Sequence, residues 1–208
     1  MELAEQAKRE ETAAEIIMTL IPAFEIGFWN AWIFVLYTLV IVFLLPVINK
    51  STKERGDITI ACVYNRREIK VLYSYHIIVF VLLIYSVFLP LKLGTAWFYA
   101  GLPIALLGLA IYTMVIVSFA TTPLDREVLT KGPYRYSRHP MYLSSSLAYV
   151  GVGIACASWL FLLLSVAYAV LSLISAIPEE RFLLEKYGDA YREYMAKTQR
   201  WVGIPKSH

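Results

Sequence analysis

Two short polar segments in an otherwise apolar chain carry the side chains able to do chemistry. Lys131-Gly-Pro-Tyr-Arg-Tyr-Ser-Arg-His-Pro-Met-Tyr142 packs guanidinium, imidazole and phenol groups between long apolar runs. Pro178-Glu179-Glu180, after a further apolar stretch, holds the only adjacent acidic pair beyond residue 11. Cations and hydrogen-bond donors facing two carboxylates suit a zwitterionic ligand that bears both a carboxylate and cationic groups. The intervening chain is long enough for two helices of roughly 20 residues each, which cross a bilayer and return. The spacing therefore predicts that His139 and the Glu179-Glu180 pair meet at one membrane face.

Composition fixes what must hold these segments. Of 208 residues, 59% are hydrophobic and 17% charged, against roughly half and a quarter in soluble domains, so a multi-span membrane protein is expected. Net charge is only +3, and the basic residues cluster at the ends of apolar runs, where they read as topology signals; no nucleic-acid partner is expected. Cys62 and Cys156 are a lone, widely separated pair, read as packing residues, and no metal site is expected. Residues 1–19 show no cleavable signal pattern.

In chain order, residues 1–21 predict an interfacial segment and residues 22–120 three transmembrane helices. These spans are placed at 24–48, with Trp29 and Trp32 as an interfacial belt, at 71–91, and at about 96–120. Glu25 lies near enough to the interface to be solvated, and His76, flanked by Tyr73 and Tyr75, reads as an interfacial hydrogen-bonder; neither is given a role. Pro140 opens a fourth span to about Ala157, since proline suits a first helical turn. Ser158 opens a fifth that ends near Ile177. With almost no polar residue between them, these two form a tight hairpin. Small residues at Ser144, Ala148, Gly151 and Ala155 predict close helix approach. Beyond Pro178, Leu183, Tyr187, Tyr191, Tyr194 and Met195 share one stripe, predicting an amphipathic helix on the membrane surface, bent near Gly188-Asp189. The fold class is thus all-α integral membrane, with five transmembrane helices, a C-terminal hairpin and an amphipathic C-terminal helix. Sixteen of the 19 Lys and Arg fall in the first loop, the third loop or after Pro178, which predicts a cytoplasmic C-terminus and site.

These residues carry a family resemblance. Gly132-x-Tyr134, Arg138-His139-Pro140-x-Tyr142, Glu179-Glu180 and Tyr187-Gly188-x-x-Tyr191-x-x-Tyr194 resemble the C-terminal half of the isoprenylcysteine carboxyl methyltransferases. The related phosphatidylethanolamine N-methyltransferases share the Pro-Met-Tyr and Glu-Glu elements. The resemblance covers about residues 127–202. It implies an integral membrane methyltransferase using S-adenosylmethionine, with S-adenosylhomocysteine as product, and residues 121–208 as its catalytic region.

By matching motif positions, the resemblance implies that Tyr134, His139, Pro140, Met141 and Tyr142 line the cofactor pocket. Glu179 would reach it from the other helix, with Glu180 as helper, and Arg126, Glu127, Val128 and Leu129 would touch the cofactor ahead of the Gly132-Pro133 turn. The expected acceptor is lipophilic, foremost the carboxylate of a prenylated cysteine, which is already ionised at neutral pH and needs no general base. A phospholipid amine or a thiol is the alternative; an amine must shed a proton, with Glu180 or His139 as base. The arginine that the family places four residues ahead of the first glutamate is here Ser175, and Arg138 is the substitute for holding the acceptor carboxylate. A non-enzymatic channel or scaffold, and a nicotinamide-dependent sterol reductase, are the competing readings.

Overall fold

A computed structural model describes residues 25–48, 65–122 and 128–204. The N-terminal interfacial segment and Cys62 lie outside the described residues. The described chain is helical, with α1 (Trp32–Ile48), α2 (Arg66–Val87), α3 (Ala96–Thr121), a 3-10 turn (Gly132–Arg135), α4 (Pro140–Ala155), α5 (Trp159–Tyr187) and α6 (Asp189–Lys197).

Helix starts follow side-chain capping. Asn65 accepts from the backbone N–H groups of Arg67 and Glu68, while Glu68 reaches back to the Asn65 N–H at 2.8 Å, a reciprocal arrangement that satisfies orphan donors at the start of α2. Thr95 caps Phe98 of α3 and Ser158 caps Phe161 of α5, each at 3.3 Å. Pro140 occupies the first turn of α4, where its missing N–H costs nothing.

Among the described residues three helices, α2, α3 and α5, are long and apolar enough to cross a membrane. The 17-residue α1 and 16-residue α4 are shorter; at 1.5 Å per residue, α4 rises about 24 Å against a hydrocarbon core of about 30 Å. The predicted hairpin is present. Cys156, Ala157 and Ser158 make the whole connection between α4 and α5, with Ala157 in the left-handed region at φ 50°.

The small-residue stripe of α4 packs against α3. A Cβ added at Gly101 or Gly108 of α3 would collide with the backbone of Ala155 or Ala148, and one at Gly151 with Ala105, so the two backbones approach as closely as hydrogen side chains allow. The start of α3 is tied in by the Lys92 N–H, which donates to the Ala155 carbonyl at 3.1 Å. Tyr85, Tyr149, Tyr168 and Phe161 fill the adjoining core. Their hydroxyls find partners inside it: Tyr149 pairs with Thr38 at 2.9 Å, Tyr168 with Ser145 at 2.8 Å and Tyr85 with Ser158 at 3.0 Å.

Two expectations change beyond Ile177. The helix of the fifth span does not end at Pro178: α5 runs through it to Tyr187, so Glu179 and Glu180 sit within a helix and point in directions about 100° apart. The stripe expected to lie on the membrane surface turns inward instead. Gly188, at φ 56°, ends α5 and starts α6, which folds back so that Tyr191 and Tyr194 are buried. Tyr194 donates its hydroxyl hydrogen to the Tyr134 carbonyl at 2.7 Å, and that bond fixes α6 to the 3-10 turn.

Candidate functional site

The open end of the hairpin brings together the start of α4 and the far end of α5. Tyr142, one turn into α4, donates its hydroxyl hydrogen to Glu179 Oε2 at 2.9 Å. His139, the residue before α4, lies between both carboxylates, with Nε2 at 3.1 Å from Glu180 Oε1 and Nδ1 at 3.6 Å from Glu179 Oε2. Its ring stacks on Tyr142 with the planes 8° apart. An imidazolium has N–H on both ring nitrogens, which matches a carboxylate on either side. Burial opposes that charge, yet hydrogen bonds and charge from Glu179 and Glu180 outweigh it and raise the His139 pKa above its ordinary value.

Glu180 is the hub of this cluster. Its Oε1 accepts from Arg138 Nε at 2.8 Å, and Arg200 grips both oxygens, with Nη2 donating to Oε2 at 2.8 Å. The Glu180 side chain is 6% exposed. A carboxylate so deeply placed requires such partners.

Arg138 is itself committed. Besides Glu180, its Nη1 donates to the carbonyls of Met195 at 3.2 Å and Thr198 at 3.1 Å. Nη2 is the guanidinium nitrogen that carries no hydrogen bond among the described residues.

Beside this cluster lies a cleft of about 580 Å³ counting its open mouth, lined by Phe119, Val128, Leu129, Tyr134, Arg138, Glu179, Leu183, Tyr187, Tyr191 and Tyr194. A ligand of ordinary metabolite size fits only by using that mouth. The polar groups on its wall are one carboxylate, one guanidinium and several phenols; the rest is aliphatic or aromatic. On the opposite face of the 3-10 turn, a second and mostly apolar cleft of about 1520 Å³, open solvent included, runs between α3 and α4 past Met114, Val117, Pro140, Leu143 and Leu147.

Of the residues nominated from the sequence, Val128, Leu129, Tyr134, Arg138 and Glu179 converge on the first cleft. Tyr142 reaches it through Glu179. His139 and Glu180 sit behind the wall, joined to it by hydrogen bonds and ion pairs. Pro140 faces the second cleft, and Met141 lines neither cleft. Arg126 and Glu127 lie outside the described residues. Ser175 has its hydroxyl bonded back to the Leu171 carbonyl at 2.9 Å. Arg200 and Trp201 were not anticipated: no periodic or motif spacing links them to Glu180, and only the path of the chain after α6 brings them there.

Residues 109–190 match the family model of the phospholipid methyltransferases, the family that includes isoprenylcysteine carboxyl methyltransferases. The match runs from the middle of α3 through the 3-10 turn, α4 and α5 to the start of α6, and it bears out the resemblance read from the motifs. It takes in every nominated residue, whereas Arg200 lies beyond it. No curated protein matches the chain.

Proposed function

We propose, taking that family match as the premise, that this chain is an integral membrane S-adenosylmethionine-dependent methyltransferase acting on a lipophilic acceptor. The observation that carries the reading is the cleft wall on which Glu179 and Arg138 stand together among phenols and aliphatic side chains. This donor set fits a ligand that is cationic at one point, anionic at another, and aromatic elsewhere. Arg138 Nη2 would hold a carboxylate, Glu179 would hold an ammonium or hydroxyl group, and Tyr134, Leu183 and Tyr187 would enclose the ring portion. When bound, the cofactor supplies a methyl group on an electrophilic sulfonium.

The protein's own part is alignment and exclusion of water. Tyr142 and His139 hold Glu179 from behind, so its position is set before any ligand arrives. The apolar cleft between α3 and α4 supports an acceptor with a hydrocarbon tail, reached from the bilayer side, while the first cleft is taken to open to the cytoplasm.

The acceptor we assign first is the carboxylate of a prenylated cysteine, which requires no proton removal. A phospholipid amine is the second reading, favoured by Ser175 at the position where the carboxyl methyltransferases carry arginine. For an amine, Glu180 is poorly placed as the base, because it already accepts from Arg138, His139 and Arg200. The test is transfer of a labelled methyl group from S-adenosylmethionine to a panel of prenylcysteine, phosphatidylethanolamine and thiol acceptors. Label on prenylcysteine supports the first reading and label on the amine lipid the second. Labelling of none, with the protein folded and in lipid, contradicts the assignment.

A further inference from the structure

The segment after α6 returns across the site. Its path is pinned by three bonds: the Arg138 N–H donates to the Gln199 carbonyl at 3.0 Å, the Ser137 hydroxyl to the Arg200 carbonyl at 3.2 Å, and the Gly203 N–H to the Tyr136 carbonyl at 2.9 Å. Residues 198–203 thus form a strap laid along residues 136–138. From it Trp201 packs on His139, ring centroids 5.9 Å apart. Arg200 drives its fork onto Glu180, Nε lying 3.2 Å from Oε1 and 3.1 Å from Oε2 and Nη2 2.8 Å from Oε2.

The outcome is a relay. Arg200, 42% exposed at its side chain, holds a carboxylate that is 6% exposed. With Oε2 engaged by Arg200, Glu180 presents Oε1 to Arg138 Nε and His139 Nε2 together. Arg138 reaches the cleft directly, and His139 reaches it through Glu179. A carboxylate held by a planar fork has one orientation, whereas one held by a single point charge can rotate.

We propose that Arg200 is a positioning residue of the cleft: from the strap it orients Glu180, and through Glu180 it aligns Arg138 and His139 behind the ligand-binding wall. The inference rests on the methyltransferase reading for its ligand, but its geometry can be tested without one. Loss of the fork frees Glu180 to swing away from His139 Nε2, which it meets at 3.1 Å, and opens a buried imidazole to reagent, while the strap itself stays pinned to residues 136–138.

The experiment compares wild type, Arg200→Gln and Arg200→Lys, purified in mild detergent, by melting temperature and by two further measurements. The first is modification of His139 by diethyl pyrocarbonate, read by peptide mass spectrometry, with His76 as the internal reference. The second is calorimetric affinity for S-adenosylhomocysteine. In Arg200→Gln, His139 reactivity rises relative to His76 and affinity falls about tenfold, the scale of one charge-assisted bond. Arg200→Lys keeps the charge but not the fork, and recovers the melting temperature more fully than it recovers His139 protection or affinity. If Arg200→Gln does not fold, Arg200→Lys alone decides by the same split. Full protection and wild-type affinity in the folded variant overturn the inference. If wild type binds no S-adenosylhomocysteine, the methyltransferase reading fails, and the His139 measurement still decides the role of Arg200.

Discussion

Tyr142 and Glu179 meet at 2.9 Å from opposite arms of the α4–α5 hairpin. The phenol donates and the carboxylate accepts, so the bond places one oxygen of Glu179 at the back of the cleft and leaves the other for a ligand. Tyr142→Phe removes that donor while preserving the ring that stacks on His139. Affinity for S-adenosylhomocysteine is expected to fall about tenfold, the low end of the range for a hydrogen bond to a charged group, with little change in melting temperature. Titration calorimetry measures it; unchanged affinity would mean that the bond does not set the carboxylate.

His139 predicts a pH dependence of stability. Its folded pKa lies above the ordinary value of 6.5, so its contribution is fully present below about pH 6.5, where the unfolded imidazole is also charged, and is lost as pH rises through the folded pKa. Facing it are Glu179, Glu180, Arg138, Arg200 and Tyr142. The melting temperature of wild type minus that of His139→Gln is therefore expected to shrink as pH is raised from about 6 to 8. A difference that grows over this range would contradict an imidazolium between the two carboxylates.

The α3–α4 crossing is expected to tolerate no side chain. Gly108→Leu places atoms where the backbone of Ala148 stands, an overpacking cost of about 1–3 kcal/mol or more. The exposed Leu107 beside it supplies the control, since Leu107→Ala removes no buried contact. Thermal melts in one detergent compare the two, and equal effects would refute the close approach.

Much of this site was legible in the sequence because membrane crossing imposes a fixed length on a helix. Pro140 starting one helix, an apolar run, a three-residue connection with Ser158 as its one polar residue, and a second apolar run ending near Glu179 leave little choice about where Tyr142 and Glu179 finish. From periodicity alone the rotation of α5 was not legible; only the family resemblance singled out Glu179. Adjacent glutamates on a helix face different ways, and which one enters the cleft depends on packing that periodicity does not encode. Pro178 reads as a helix end because proline removes a backbone donor, yet α5 runs through it with Pro178 buried. The inward turn of the Tyr191 and Tyr194 stripe was hidden for a similar reason: an amphipathic face reads the same whether it meets lipid or a neighbouring helix. Arg200 gave no signal because the strap is held by backbone bonds to residues 136–138, which depend on path and not on side-chain type.

Calorimetric titration of the purified wild-type protein with S-adenosylhomocysteine, beside Glu179→Gln, bears most directly on the cleft. The expected result is saturable one-to-one binding that weakens at least about tenfold when the carboxylate becomes an amide. Binding absent from folded wild-type protein, or equally strong in Glu179→Gln, would contradict a cofactor site on this wall.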